Sequence, residues 1–398
     1  MPKQDLTPPL SGLRVLDVSR MLAGPFCTAL LADLGAEVIK VEAPGRGDDA
    51  RHFAPFQGGE SAYFMLINRG KKSVTLNLKD PRGLSAFNRL AETVDVVVEN
   101  FRPGVAARLG VGYESLRGIN PRLIYASISG FGQDGPLSQR PAYDIIAQAM
   151  SGLMSMTGAP DGPPTRVGES YGDLCAGLFA SWGILAALQG RAKTGRGQHL
   201  DIAMTDSLFS MMVTALSLQL YGDEPPRRIG NRHPMSAPYD AYPAEDGHII
   251  IASANDTIFA RFSRAIGRPE LASDPRFDSE SRRAANEPVL RDIIAGWTGA
   301  RSVAEAVAAL DAAGVPAAPV LSVAEAVASE HVRTRGLLAA ARHPVAGEIR
   351  LVRQPVQFSG APRQDPAPAP TLGQHTDELL GDLLGADAVG TLRRDGVI

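Results

Sequence analysis

Five short runs rich in Val, Ile and Leu recur through the first third of the chain: LRVLDVS, AEVIKVE, SVTLNL, DVVVEN and LIYASIS. Stretches such as FCTALLADLG and GLSAFNRLAETV, apolar at three- and four-residue intervals, lie between them. Short apolar runs bounded by turns predict strands buried on both faces, and the longer periodic stretches predict helices. Their alternation predicts an α/β fold, a parallel sheet with helices on both sides. HLDIAM supplies one more strand after a long apolar segment, Leu174 to Leu188. That segment, LCAGLFASWGILAAL, is apolar all round rather than along one stripe, which predicts a buried helix. The basic, glycine-rich turn QGRAKTGRGQ suits its C-terminus.

The pattern changes after Leu220, where YGDEPPRRIGNRHP stacks Pro, Gly and charge. YDAYPAEDGHIIIAS then predicts two strands around a turn, and TIFARFSRAIG and SVAEAVAALDAAG predict amphipathic helices. The expected organisation is residues 1–220 as the first part of a large domain, 221–325 as a smaller α+β domain, and 326–398 as a C-terminal return. The Pro-rich stretch SGAPRQDPAPAPTLGQHTDELL gives that return the look of a strap before a last helix.

Composition narrows the chemistry. Of 398 residues, 44% are hydrophobic and 21% charged, with a formal net charge of −3, so neither disorder nor wholesale nucleic-acid binding is expected. The first residues, MPKQDLTPPLSGLRVLDVS, lack a signal-peptide pattern, and no apolar run reaches the roughly 18 residues that span a bilayer. A cytoplasmic protein without a membrane partner is expected. Cys27 and Cys175 are too few for a disulfide framework, and packing is their expected role. The seven histidines are scattered without helical metal-site spacing, so no metal is expected.

Several familiar chemistries lose their motif. The turn after the first strand holds only AGP, Ala23 to Pro25, where a dinucleotide fold needs G-x-G-x-x-G. Neither a Walker A sequence nor H-E-x-x-H occurs, and GES lacks the rest of a nucleophile elbow. One polar residue stands out. In GESYGDLCAG, Asp173 sits among small residues at the mouth of the apolar helix. Two roles are open to it from the residues alone: a helix cap, or a carboxylate held for chemistry at a positive helix end.

The stretches LSGLRVLDVSRMLAGPFCTALLADLGAEVIKVE, NRGKKSVTLNL, DVVVENFRPG, ISGFGQDGP, AYDIIAQAMSG, TGRGQHLDIAMTDSL and LGQHTDELL occur in this order. Together they resemble the class III coenzyme A transferases, the family that includes formyl-CoA and carnitine CoA-transferases. The resemblance runs from about Leu10 to Ile398. It implies a Rossmann-like large domain built from both chain ends, a small domain between them, and two subunits threaded as an interlocked homodimer. It also implies transfer of coenzyme A from an acyl-CoA donor to a carboxylic acid, through an aspartyl mixed anhydride and an aspartyl-CoA thioester. Coenzyme A is then a co-substrate, with no tightly bound cofactor.

Residue by residue, the resemblance makes Asp173 the nucleophile, with Gly172, Ala176 and Gly177 leaving room for the thioester. Lys71, Lys72 and Arg108 become candidates for the adenosine phosphates, and Asn100 and Phe101 for the adenine and pantetheine path. Related racemases carry a His before an Asp, where this chain has Tyr143 in PAYDIIAQ. With a reference pKa of about 10, tyrosine is a poor base at neutral pH. A transferase is therefore expected over a 2-methylacyl-CoA racemase, with Tyr143 as a hydrogen-bonding neighbour of the reacting carbonyl. Leu22 replaces the glutamine that formyl-CoA transferases carry before AGP, which argues against formyl and oxalyl substrates and leaves a dicarboxylic acid with succinyl-CoA as donor. Arg232 and His233 in GNRHP either face the acceptor carboxylate or link domains. A non-catalytic CoA-binding protein on the same fold would be expected to lack the carboxylate at position 173.

Overall fold

A computed structural model describes residues 7–253, 255–361 and 363–398. The six apolar runs form one sheet: β1 (Arg14–Asp17), β2 (Glu37–Glu42), β3 (Lys71–Thr75), β4 (Val96–Glu99), β5 (Ile124–Ser129) and β6 (Gln198–Ala203). Their order is β3-β2-β1-β4-β5-β6, and every pairing is parallel. The expected parallel α/β sheet is thus present. Its strand order reverses between β1 and β4, which leaves a crevice beyond their carboxyl ends.

Alternation along each strand divides the core between two faces. Leu16, Ile39, Val74, Val97 and Tyr125 pack with Phe87 and Leu90 of α2 (Pro81–Ala91) and Leu116 of α3 (Tyr113–Ile119). Val15, Val38, Val96, Val98 and Ile124 face the other way, towards α1 (Ala23–Asp33) and the long apolar helix, α5 (Tyr171–Thr194). Two further helices, α4 (Asp144–Ser151) and α6 (Met204–Met211), pack against α5. Cys27 and Cys175 are buried on this face.

α5 differs from its expectation. Cys175, Ala176, Ala180 and Ile184 are buried, but Leu178 is 50% and Trp182 68% exposed. Uniform apolarity therefore does not mean burial all round here; only one face of the helix meets the sheet. By length and composition alone the same helix is long and apolar enough to cross a membrane, although Asp173 interrupts its apolar run.

Contacts divide the chain into two compact units. One comprises residues 1–153, 167–214 and 331–398; the other comprises 154–166 and 215–330. In the first, the C-terminal segment covers the outer edge of the sheet. His375 N donates to Ser73 O at 2.9 Å, and Thr75 N donates to Thr376 Oγ1 at 3.0 Å. The second holds a three-stranded antiparallel sheet around Ile249 and Ile251, covered by Phe259, Phe262, Leu290 and Leu310.

Candidate active site

Asp173 is the third residue of α5 and does not cap it. The first-turn amide of Gly172 is satisfied from α4 instead, donating to Asp144 Oδ1 at 2.7 Å. The second Asp144 oxygen accepts from Gln148 Nε2 at 2.8 Å. Asp173 leans on a different helix end, accepting the backbone N–H of Ala23, the first residue of α1. Burial, reinforced by the Asp144 charge, pushes its carboxyl up to about 7, and the Ala23 amide offsets only part of that rise. A helix end alone does not keep it ionised, because a dipole contribution of about 0.3–1 kcal/mol is smaller than the desolvation of a half-buried carboxylate.

The small residues around it serve packing. A Cβ on Gly177 would stand 2.7 Å from Ala23 O, and one on Gly172 would stand 3.1 Å from Asp144 Oδ1. They admit α1 and Asp144 to the helix, rather than leaving the open approach expected for a thioester.

The turn that presents Ala23 is held from beneath. Met21 has a φ of 68°, in the left-handed region, and its N–H donates to Asp48 Oδ1 at 3.0 Å. Asp48 pairs with Lys40 at 2.8 Å, out of water. Lys40 also donates to Ser19 O at 2.9 Å. Gly24 allows the closest approach, since a Cβ there would fall 2.2 Å from Ser19 Cβ. Leu22, expected near substrate, is 7% exposed and packs with Phe64 and Met65.

Two of the cavities in this unit are lined by the loop after β1. One of about 640 Å³ lies beyond the carboxyl ends of β1 to β4, with Arg20, Pro44, Leu76, Lys79, Phe101 and Leu109 in its wall. The other, about 670 Å³, is lined by Met21, Arg46, Asp49, His52, Phe53 and Tyr143. Tyr143 is 74% exposed there and directly precedes Asp144. Asp49 accepts from both Arg20, at 3.1 Å, and Arg46, at 2.8 Å. Among the described residues, no three His, Cys, Asp or Glu side chains gather as a metal site would.

CoA-transferase family III matches residues 10–376. The chain belongs to that family. It is 44% identical over 383 residues to an acetyl-CoA:oxalate CoA-transferase of Acetobacter aceti, covering 96% of this chain and 97% of that one. It is 40% identical over 397 residues to a succinyl-CoA:glutarate CoA-transferase of Mus musculus, covering 99% and 91%. Among solved structures, a CAIB/BAIF family protein from Brucella suis superposes with a TM-score of 0.85 at 38% identity, covering 95% of this chain and 100% of that one. The chain is thus a family III CoA-transferase.

The remaining candidates of this CoA-transferase fall into different surroundings. Asn100 clamps the loop after β1, accepting from Arg20 N at 2.9 Å and donating to Arg20 O at 2.7 Å. Arg108 is exposed. Lys72 is one-third exposed and pairs with Glu37 and Glu378 at 3.0 and 2.9 Å. Lys71 is not at a surface. Its ammonium is out of water and donates to Asp17 Oδ2, Pro25 O and Asn68 Oδ1, at 2.9, 2.9 and 2.8 Å. Those three bonds use its three protons, so as placed it has none for a phosphate. Arg232 and His233 belong to the second unit, where Arg232 pairs with Glu287 at 2.8 Å and the His233 ring packs on Tyr239. Sequence reasoning passed over Asp144, Lys40, Asp48 and the cavity-wall Lys79. The run LKD after a strand carries the one signal for Lys79; the other three act through partners distant in sequence.

Proposed function

We propose that this CoA-transferase uses Asp173 as its nucleophile, moving coenzyme A from an acyl-CoA to a dicarboxylic acid. The observation that carries the proposal is the Asp173 carboxyl itself, beside Asp144 and bonded to Ala23 N–H, with its pKa raised to about 7. A group titrating there supplies nucleophilic carboxylate near neutral pH and is more basic than an ordinary Asp.

The reaction balances without an added energy source. Asp173 attacks the donor thioester carbonyl, giving a mixed anhydride and CoA thiolate. The thiolate attacks the aspartyl carbonyl, releasing the donor acid and leaving aspartyl-CoA thioester. The acceptor carboxylate attacks that thioester and expels the thiolate. The thiolate then attacks the acceptor's carbonyl in the new anhydride, yielding acyl-CoA and free Asp173. Holding the reactants in contact can supply roughly 7–11 kcal/mol of the barrier.

Coenzyme A is proposed to occupy the 640 Å³ cavity. It offers Phe101 for stacking and Arg20 and Lys79 for phosphates, with Arg108 and Lys72 as further cations from outside its wall. Tyr143 is proposed to face the reacting acyl group from the second cavity. A dicarboxylic acceptor is supported by oxalate and glutarate in the two relatives' names, and the first of these brings oxalate back despite Leu22. Arg232 and His233 are retained as candidates for the acceptor's carboxylates. The homodimer, interlocked through the C-terminal strap, is also part of the proposal. It is supported by the exposed Leu178, Trp182, Ile145, Met150 and Phe209 on the mutually packed α4, α5 and α6.

The test is to trap the adduct. Enzyme incubated with succinyl-CoA or acetyl-CoA is treated with borohydride or hydroxylamine and mapped by mass spectrometry, with the adduct expected on Asp173. An adduct elsewhere overturns the nucleophile. Rapid α-proton exchange of a 2-methylacyl-CoA in deuterated water would restore the racemase.

A further inference from the structure

A third cavity, about 190 Å³, lies beside β4, β5 and β6 and has no part in the transfer chemistry above. Glu99, at the end of β4, lines it and is 3% exposed. The Glu99 Oε2 accepts the Phe101 N–H at 2.7 Å. The Phe101 side chain is in the wall of the 640 Å³ cavity, and its neighbour Asn100 grips the backbone of Arg20 in both directions. Three residues after Arg20 comes Ala23, whose amide holds Asp173.

We propose that Glu99 is a positioning residue, its carboxylate fixing the Asn100–Phe101 turn that walls the large cavity. That the cavity receives coenzyme A rests on the transferase reading; that Glu99 holds the turn does not. The carboxylate stands at one end of a relay. Ser127 donates to it and lies 2.9 Å from His199 Nε2, and His199 stacks on Tyr113 with ring centroids 5.2 Å apart. With Glu99 ionised, the Ser127 hydroxyl donates to the carboxylate and accepts the His199 Nε2 proton.

The groups that face this carboxylate are Tyr125 and Ser127 from β5, His199 and Asp201 from β6, Tyr113 and Glu114 from α3, and Arg102 from the following loop. Burial raises the Glu99 carboxyl to about 7, the Ser127 and Phe101 donors offset part of this, and Asp201 adds to it. Burial also lowers the His199 pKa, so the ring stays neutral beside it. Protonation below neutral pH replaces a charge-assisted bond to the Phe101 amide with a weaker one. The wall of the cavity then loosens.

The test compares the full-length enzyme with Glu99→Gln and Glu99→Ala between pH 6 and 8.5. Two readouts are taken: donor acyl-CoA KM and kcat, and exchange at the Phe101 amide by fragmentation mass spectrometry, corrected for intrinsic rate. Wild-type KM should rise about fivefold from pH 8 to pH 6, and Phe101 protection should fall in parallel. Glu99→Gln keeps an acceptor without the charge, so both readouts should lose this pH dependence. Glu99→Ala should raise KM about tenfold, well beyond its effect on kcat. If Glu99→Ala fails to fold, the nearly isosteric Glu99→Gln decides. Wild-type pH dependence in Glu99→Gln overturns the proposal, as does unchanged Phe101 exchange. Exchange that responds as stated in a protein that does not bind coenzyme A supports Glu99 as the holder of the turn and defeats the transferase reading alone.

Discussion

Asp17 and Glu99 end neighbouring strands, are 0% and 3% exposed, and point to opposite faces of the sheet, yet their protonation tendencies are opposed. Burial acts to raise both. Around Asp17, Lys71 and Lys40 outweigh burial, helped by Ser19, and hold the carboxyl far below the usual range. Glu42 and Asp48 nearby are also lowered on balance, against burial, by Arg51 and Lys40. Glu99 has only neutral donors, and Asp173 has Asp144 as its charged neighbour, so burial prevails and both rise to about 7. Removal from water is common to both regions, and counter-charge decides the outcome. The paired face locks the loops in place; the unpaired carboxylates keep a proton exchangeable near neutrality.

The largest break in this comparison is Asp173→Asn, which removes the nucleophile and keeps the shape. Turnover should fall by roughly 10³- to 10⁶-fold. Because the folded pKa is raised, wild type loses stability as pH rises from about 4 to about 7. The variant should therefore be more stable by about 1–2 kcal/mol at pH 8 and equal to wild type near pH 4. Melting curves at the two pH values check the sign; a variant destabilised at pH 8 would contradict it.

Next comes Lys71→Met, which leaves Asp17 short of its nearest cation. Breaking a buried pair costs about 3–5 kcal/mol, to be read from the urea midpoint. An Asp17 held low contributes stability that is present above about pH 4 and lost as pH falls below it. The deficit of the variant should therefore shrink in acid. Full stability with weakened coenzyme A binding would instead return Lys71 to the ligand role.

A smaller change sharpens the unpaired side. Asp144→Asn still accepts the Gly172 N–H but removes the like charge beside Asp173. The acidic limb of the kcat/KM profile should move down by about one pH unit. An unmoved limb would mean that Asp144 acts only as a cap. The smallest effect belongs to Lys72→Ala, whose half-exposed pairs should be worth less than about 1 kcal/mol and vanish in high salt.

β6, at the sheet edge with Gln198, His199 and Asp201 exposed, shows only the alternation of HLDIAM. The other five strands were legible because a parallel strand buried on both faces reads as an apolar run. The lysine pair was not, because β3 begins at Lys71, two residues before SVTLNL. With those residues inside the strand, alternation turns Lys71 inward to Asp17 and Lys72 out towards Glu37 and Glu378. In α5, Leu178 and Trp182 look like core residues in sequence and are exposed in the structure. Asp173 stood out only as an acid at a helix mouth; family resemblance supplied the nucleophile. Asp144 and Ala23, which set its proton affinity, lie 29 and 150 positions away, and no local pattern records such pairings.

The seal on the outer edge of the sheet has a consequence during synthesis. Ser73 and Thr75 present unpaired strand amides until His375 and Thr376 arrive, about 302 residues later for Ser73. At roughly 5–20 residues per second, the ribosome takes on the order of 15–60 s to deliver them. Throughout that interval the nascent chain displays an open β-edge next to a half-built apolar core, the kind of template on which strands from other chains add. Slow translation or crowded polysomes should therefore lower the soluble yield more than they would for a sheet closed by its own neighbouring segments.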